Sequence, residues 1–261
     1  MRSWSLVIGL ALVAAAVLLG CQAQAAVGRA NAGPITVAAA ADLQFAFREI
    51  GDAFQQETGR KVIFTFGSTG VLAQQIGGGA PIDVFAAANV QFVDELRTRG
   101  LILADTQQPY AQGRIVLATN KKSRLAVHTL SDLVRPEIKW VAIANPEHAP
   151  YGRAAQQALQ SAGVWEQVKS KLVLGENISQ TMQYVQTGNA DIGIIALSVA
   201  NVPELEWVLI DQNLHAPLNQ SMAVVSSTKH EQTAREFVQF VNGPSGRPIM
   251  KKYGFVLPGE L

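Results

Sequence analysis

The sequence predicts an α/β fold of two doubly wound lobes joined by a hinge. Short apolar runs that read as buried strands alternate with amphipathic helices, and this alternation starts again in the second half of the chain. The length of 261 residues also suits two lobes better than one core. Because a crossover helix returns the chain to the same end of a sheet, the alternation favours parallel strands.

The first half of the chain reads as β-α-β-α-β-α. Strands are expected at 35–40, 61–66 and 83–88, and helices at 43–57, 71–76 and 92–99. Gly59 and Gly100 follow the first and last of these helices as left-handed caps. The breaker Gly-Gly-Gly-Ala-Pro at 77–81 separates the second helix from the third strand.

The second half repeats this pattern and then returns to the first lobe. Strands are expected at 114–119, 140–144, 171–174, 191–196 and 221–226, and helices at 130–133, 153–161, 178–187, 233–241 and 248–253. We assign residues 34–113 and 221–261 to lobe I and residues 114–220 to lobe II. Crossings near 112–113 and 219–220 would form the hinge.

The N-terminal residues have the features of an export signal. Arg2 precedes an unbroken apolar run at 6–19, which is short for a membrane span. Cleavage at Ala23-Gln24-Ala25 would release the protein from residue 26, whereas the lipobox-like Leu-Leu-Gly-Cys at 18–21 would leave Cys21 lipidated. Both routes remain open. We assign residues 1–25 to a signal peptide and expect a periplasmic protein.

Composition argues against several functional classes. A formal net charge of +1 gives no electrostatic footprint for nucleic acid or for an anionic membrane. Cys21 is the only cysteine, so after either cleavage no disulfide, thiol nucleophile or cysteine metal site is expected. The four histidines lack metal-ligand spacing, and neither a nucleophile elbow nor a P-loop lysine is found. We therefore expect no enzyme, no cofactor and no bound metal cation.

Two strand-to-helix junctions are suited to an anion. The first ends in Ala41 and Asp42 and the second in Ser68 and Thr69, with no lysine or arginine at either junction. A helix N-terminus leaves amides unpaired and carries a partial positive charge. Because parallel strands end at one edge of a sheet, the two junctions predict a neutral cradle for a small, fully ionised oxyanion. Ordinary helix capping is the alternative interpretation.

Asp42 fits this cradle least well, because its carboxylate would repel an anion. We expect its side chain to cap the first helix by accepting the Phe45 amide, so that the backbone amides of Ala41 and Asp42 face the ligand. In the second lobe, helix starts at Tyr151 and Ile178 would close over the anion, or would be ordinary capped helices.

The mature chain resembles the periplasmic molybdate-binding proteins of ABC importers. The matching blocks are ITVAAAADL from residue 35, FGSTG from 66, AQQI from 73, GAPIDVF from 79, NPEHAPYG from 145, GPSG from 243 and YGF from 253. The resemblance implies a type II periplasmic-binding-protein fold and a tetrahedral oxyanion held by neutral donors. By motif, these donors come from Ala41 or Asp42, from Thr69 beside Ser68, from Tyr151 and from Ile178.

The same resemblance implies a receptor that delivers molybdate or tungstate to a membrane permease, with no catalysis and as a monomer. The sequence departs from some members at two positions, with Asp42 in place of a serine and Ala196 in place of a ligand-contacting tyrosine. Both changes remove side-chain donors. Two alternatives stay open. Asp42 would accept the proton of hydrogen phosphate in a phosphate receptor, or it or His148 would act as a base near Ser68 in an exported hydrolase.

Overall fold

The computed structural model describes residues 33–260. The expected leader and both of its cleavage sites, including Cys21, lie outside the described residues. Within the described range the strands form two five-stranded sheets. No helix in that range combines the length and the apolar character needed to cross a membrane.

The first sheet contains strands from both ends of the described chain. Its members are β1 (Ile35–Ala40), β2 (Val62–Gly67), β3 (Val84–Ala87), β4 (Gln108–Gly113) and β10 (Leu218–Val224). Their order is β2-β1-β3-β10-β4, with β1 parallel to β2 and β3, and β10 antiparallel to β3 and β4. The sequence did not predict β4, because its polar residues and Pro109 are not typical of a strand. Proline is tolerated there because β4 is an edge strand.

The second sheet has the same mixed design. Its members are β5 (Ile115–Asn120), β6 (Val141–Ala144), β7 (Leu172–Gly175), β8 (Ile192–Ala196) and β9 (Leu205–Leu209). Their order is β7-β6-β8-β5-β9, with β6 parallel to its two neighbours and β5 antiparallel to its own. The sequence did not predict β9, an edge strand in which only Leu205 is buried.

Helices follow most of the parallel strands. They are α1 (Gln44–Thr58), α2 (Thr69–Gly77), α3 (Val90–Thr98), α4 (Pro150–Ser161), α5 (Trp165–Val168), α6 (Ile178–Thr187), α7 (Leu197–Ala200), α8 (Glu231–Val241) and α9 (Gly246–Lys252). Phe237 of α8 meets Phe47 and Phe54 of α1 edge to face, at centroid distances of 5.9 and 5.4 Å. Such pairs stabilise a core by about 0.5–1.5 kcal/mol each beyond their burial, and they tie the last part of the chain to the first sheet.

The chain crosses between the sheets at two adjacent places. Arg114 separates β4 from β5, and residues 210–217 connect β9 with β10. Gln112 pairs with Asn219 inside the first sheet, so these two positions belong to paired strands. The second crossing therefore lies before residue 218, not at 219–220 as the sequence suggested, because β10 starts earlier than its apolar core.

Candidate anion-binding site

A small cavity lies where the carboxyl ends of β1, β2 and β3 meet the N-termini of α4 and α6. It is lined by Ala40, Ala41, Asp42, Gly67, Ser68, Thr69, Ala88, Ala149, Pro150, Tyr151 and Ile178. The cavity itself has a volume of about 10 Å³, within about 200 Å³ of empty space that includes the open mouth. Pockets for organic ligands are larger, at roughly 300–1,000 Å³. The structure thus brings the six predicted ligand-binding residues around one cavity, which is too small for an organic ligand.

At least three backbone amides at this cavity have no protein partner. Among residues 33–260, the N–H groups of Thr69, Tyr151 and Ile178 donate to no protein acceptor. The amides that follow Ile178 are occupied, because Ser179 and Gln180 both donate to Asn177 Oδ1, at 3.0 and 3.1 Å. Each free amide lies in the first turn of a helix, where the helix dipole favours negative charge. Together they provide neutral donors from both sheets.

The two hydroxyl groups of the second junction have different roles. Thr69 Oγ1 accepts the Ala88 amide at 3.1 Å, which leaves its hydroxyl hydrogen for a ligand. The Ser68 hydroxyl instead donates to the backbone carbonyl of His148 at 2.6 Å. In this conformation Ser68 therefore joins the two sheets, and its hydroxyl hydrogen is not available to an anion.

Asp42 does not cap the first helix, so that expectation was wrong. Its Oδ2 accepts the Tyr151 hydroxyl at 2.9 Å and Gln220 Nε2 at 2.8 Å. The physical reason is that a 3-10 turn over Ala41–Leu43 precedes α1. Asp42 therefore lies inside the first turn, and neither this turn nor α1 has a side-chain cap.

The carboxyl group of Asp42 is buried without a neutralising cation. Asp42 is only 1% exposed, and burial raises its pKa to about 6, although hydrogen bonds from Gln220, Tyr151 and its own backbone oppose the rise. No basic side chain in the described part of the chain contributes to this pKa. Oδ1 of Asp42 and Oε1 of Gln220 are buried without a hydrogen-bond partner. The same burial raises the pKa of Tyr151 well above its usual value, so that tyrosine remains a donor.

Several residues that support the site were not found from the sequence. Gln220 holds Asp42 from β10, and Ser198 Oγ donates to the Asp42 carbonyl at 2.8 Å. Gly113 leaves room for Tyr151, since a Cβ there would lie 2.0 Å from the tyrosine oxygen. These contacts join distant segments, and the only signal for Gln220 was a polar residue in a largely apolar strand. Ala196 lies buried at the end of β8 and does not line the cavity.

In the described part of the chain, no oriented catalytic base lies beside Ser68. His148 Nδ1 lies 2.8 Å from Ser68 Oγ, but its Nε2 is 3.9 Å from the exposed carboxylate of Glu176. A separation of 3.9 Å is not a hydrogen bond, and the Ser68 hydrogen is directed at a carbonyl oxygen. Over residues 33–260, no group of three or more His, Cys, Asp or Glu side chains is placed to hold a metal ion.

Relatives of known type match almost the whole chain. The family described as bacterial extracellular solute-binding protein matches residues 35–256. The chain is 35% identical to the molybdate-binding protein ModA of Azotobacter vinelandii over 252 residues, which cover 92% of this chain and 94% of that protein. It is 32% identical to ModA of Rhodobacter capsulatus over 229 residues, covering 87% and 90% of the two chains.

A solved structure agrees with these relatives. The periplasmic molybdate-binding protein of Azotobacter vinelandii superposes with a TM-score of 0.80 at 27% identity, covering 86% of this chain and 99% of that one. The match confirms the predicted fold class of two α/β lobes joined by a hinge. The chain therefore belongs to the bacterial extracellular solute-binding proteins and, within them, to the family of molybdate-binding proteins.

Proposed function

We propose that this protein is an extracytoplasmic receptor that captures molybdate or tungstate between its two lobes and delivers it to the permease of an ABC transporter. The observation that carries the proposal is the convergence of the free Thr69, Tyr151 and Ile178 amides on a cavity lined by no lysine or arginine. Molybdate and tungstate carry no proton at neutral pH, so a site made of donors suits them. The relatives named molybdate-binding proteins support this choice of ligand.

The proposed lobes consist of residues 34–113 with 218–260, and of residues 114–217, because β10 starts at Leu218 and pairs within the first sheet. Contacts between them close the cavity, including the bond from Ser68 to His148 and the bond from Tyr151 to Asp42. Rotation at the two adjacent crossings would break these bonds and open the cavity to solvent. The ligand would then enter and leave through this opening.

Capture and delivery need no covalent step, and we propose that the protein has no catalytic activity. It would work as a periplasmic monomer, either released or lipid-anchored, with the permease as its partner. Purified protein should hydrolyse neither esters nor phosphoesters, because Ser68 lacks an oriented base.

One observation favours a second candidate ligand. The unpartnered Oδ1 of Asp42 would accept a hydrogen bond from hydrogen phosphate when the carboxyl is ionised. A phosphate receptor needs such an acceptor, whereas a molybdate receptor does not. Phosphate is therefore the competitor to test first.

Titration calorimetry on ligand-free protein would test the proposal with molybdate, tungstate, sulfate and phosphate. We expect one molybdate or tungstate ion per chain. Sulfate should bind more weakly because it is smaller. Phosphate should bind more weakly because its remaining proton needs a hydrogen-bond acceptor, whereas the site provides donors. A preference for phosphate over molybdate would contradict the proposed function.

A further inference from the structure

Asp42 places a carboxyl group in the wall of a site proposed for a dianion. Oδ2 already accepts two hydrogen bonds, from Tyr151 at 2.9 Å and from Gln220 at 2.8 Å. Oδ1 is buried and has no partner among the residues described. One oxygen is thus held in place by neutral donors, and the other has no partner, in a residue that lines the cavity.

Within residues 33–260, no positive charge offsets this carboxyl. Among the elements packed against its turn, α6, α7 and β2 contain no charged residue. The charged residues of α1 make no contribution to the pKa of Asp42. The ionisable groups that face it are Tyr151 from α4 and Tyr110 from β4, and both are neutral because burial raises their pKa well above the usual value. An ionised Asp42 beside a bound dianion would meet strong, weakly screened repulsion.

We propose that Asp42 binds the oxyanion in its protonated form, so that the capture of one dianion is coupled to the uptake of one proton from solvent. The Oδ1 hydroxyl then donates to the anion. This inference rests on the proposed function and predicts how the affinity for the oxyanion depends on pH.

The hydrogen bonds fix the site of protonation. Tyr151 and Gln220 donate to Oδ2 whether or not the carboxyl is ionised, so Oδ2 keeps the carbonyl character and the proton adds to Oδ1. The carboxylate gains one proton and becomes neutral, while the bound anion stays unprotonated. The complex therefore carries one negative charge fewer than the sum of its separate parts.

The environment of Asp42 favours protonation of its carboxyl group before any ligand binds. Burial already raises its pKa to about 6. A dianion beside it raises the pKa further, and by linkage the proton and the anion strengthen each other's binding. Affinity is then full below the pKa of the free protein and falls by up to about tenfold per pH unit above it, until the pKa of the complex is reached.

Calorimetry tests this directly. Molybdate is titrated into wild-type protein at about pH 7.5 in buffers of different ionisation enthalpy, because the dependence of the measured heat on the buffer gives the protons taken up. We expect uptake approaching one proton per molybdate, the same with tungstate, and an affinity that weakens between about pH 6.5 and 8. Asp42→Asn, which keeps an oxygen for Tyr151 and an N–H donor for the anion, should bind without uptake and with a flat pH profile.

Two control variants test whether a neighbouring ionisable group, and not Asp42, takes up the proton. His148 is a further ionisable side chain in contact with the site, through Ser68, and His148→Gln should retain the proton uptake. Tyr151→Phe keeps the ligand-facing amide and should also retain it. Wild-type binding without proton uptake would overturn this inference and leave the proposed function intact, and loss of uptake in His148→Gln would also overturn it. Failure to bind molybdate at any pH would instead overturn the proposed function. If Asp42→Asn does not fold, the wild type and His148→Gln still decide.

Discussion

The Ser68 hydroxyl and the His148 carbonyl lie 2.6 Å apart and join two segments separated by 80 residues. The neighbouring Gly70 amide donates to the same carbonyl at 3.0 Å. The carbonyl oxygen of His148 thus accepts two hydrogen bonds, from Ser68 and from Gly70. The contact lies beside the cavity and stabilises its closed form without requiring an anion.

Replacement of this hydroxyl should weaken ligand retention indirectly. Ser68→Ala removes one bond of the closed form, a loss of about 0.5–1.5 kcal/mol, so molybdate should dissociate faster by a few-fold to about tenfold. Stopped-flow displacement would measure the dissociation rate. Thr65→Ala, at an exposed position on the same strand, is the control and should leave the rate unchanged. An unchanged rate in Ser68→Ala would show that this bond does not stabilise the closed form.

Thr69 should contribute to binding and to stability through the same oxygen. Its Oγ1 accepts the buried Ala88 amide, so Thr69→Val removes a donor for the anion and leaves that amide unpaired. We expect affinity to fall by about 1.5–3 kcal/mol and the free energy of unfolding by about 1–3 kcal/mol. Thr69→Ser keeps the hydroxyl and should retain both. Calorimetry and urea unfolding measure the two effects, and full affinity in Thr69→Val would show that the second junction is only a structural cap.

Much of the first sheet was predictable because its signals are local. The apolar run of β1 and the left-handed Gly59 after α1, with φ of 72°, are visible in a short window of sequence. The role of Asp42 was not predictable in this way. Its two hydrogen-bond donors, Tyr151 and Gln220, lie 109 and 178 residues away, and only the folded chain brings them together.

Gly113 should be intolerant of any side chain. A Cβ there would lie 2.0 Å from the Tyr151 oxygen and 2.9 Å from Gln220 Nε2. Gly113→Ala should therefore push both donors away from Asp42, destabilising the protein by about 1–3 kcal/mol and weakening molybdate binding. Gly78→Ala is the matched control, since its nearest atoms lie at 3.5 Å and its φ is −88°. Equal behaviour of the two variants in urea unfolding and calorimetry would contradict this account of the Asp42 contacts.

Molybdate should raise the melting temperature, because it binds the native state and not the unfolded chain. At a free concentration about 100-fold above the dissociation constant, linkage adds about 2.7 kcal/mol to the free energy of unfolding. Sulfate at the same concentration should add much less, since a smaller anion cannot reach the donors of both sheets together. Scanning calorimetry with each anion measures the shifts, and equal shifts would remove the argument from cavity size.

Asp42→Asn should stabilise the ligand-free protein in a pH-dependent way. The pKa of Asp42 rises from 3.8 to about 6 on folding, so the folded state holds the proton more tightly than the unfolded state. Its contribution to stability is therefore present below about pH 4 and is lost as pH rises through about 6. A shift of about two units corresponds to about 3 kcal/mol at neutral pH, where the wild type buries an unneutralised charge and the Asp42→Asn variant does not.

Urea unfolding of both proteins at a series of pH values measures this difference in stability, which should grow between about pH 4 and 6.5 and then level off. A difference that does not change with pH would show that folding does not raise the pKa of Asp42.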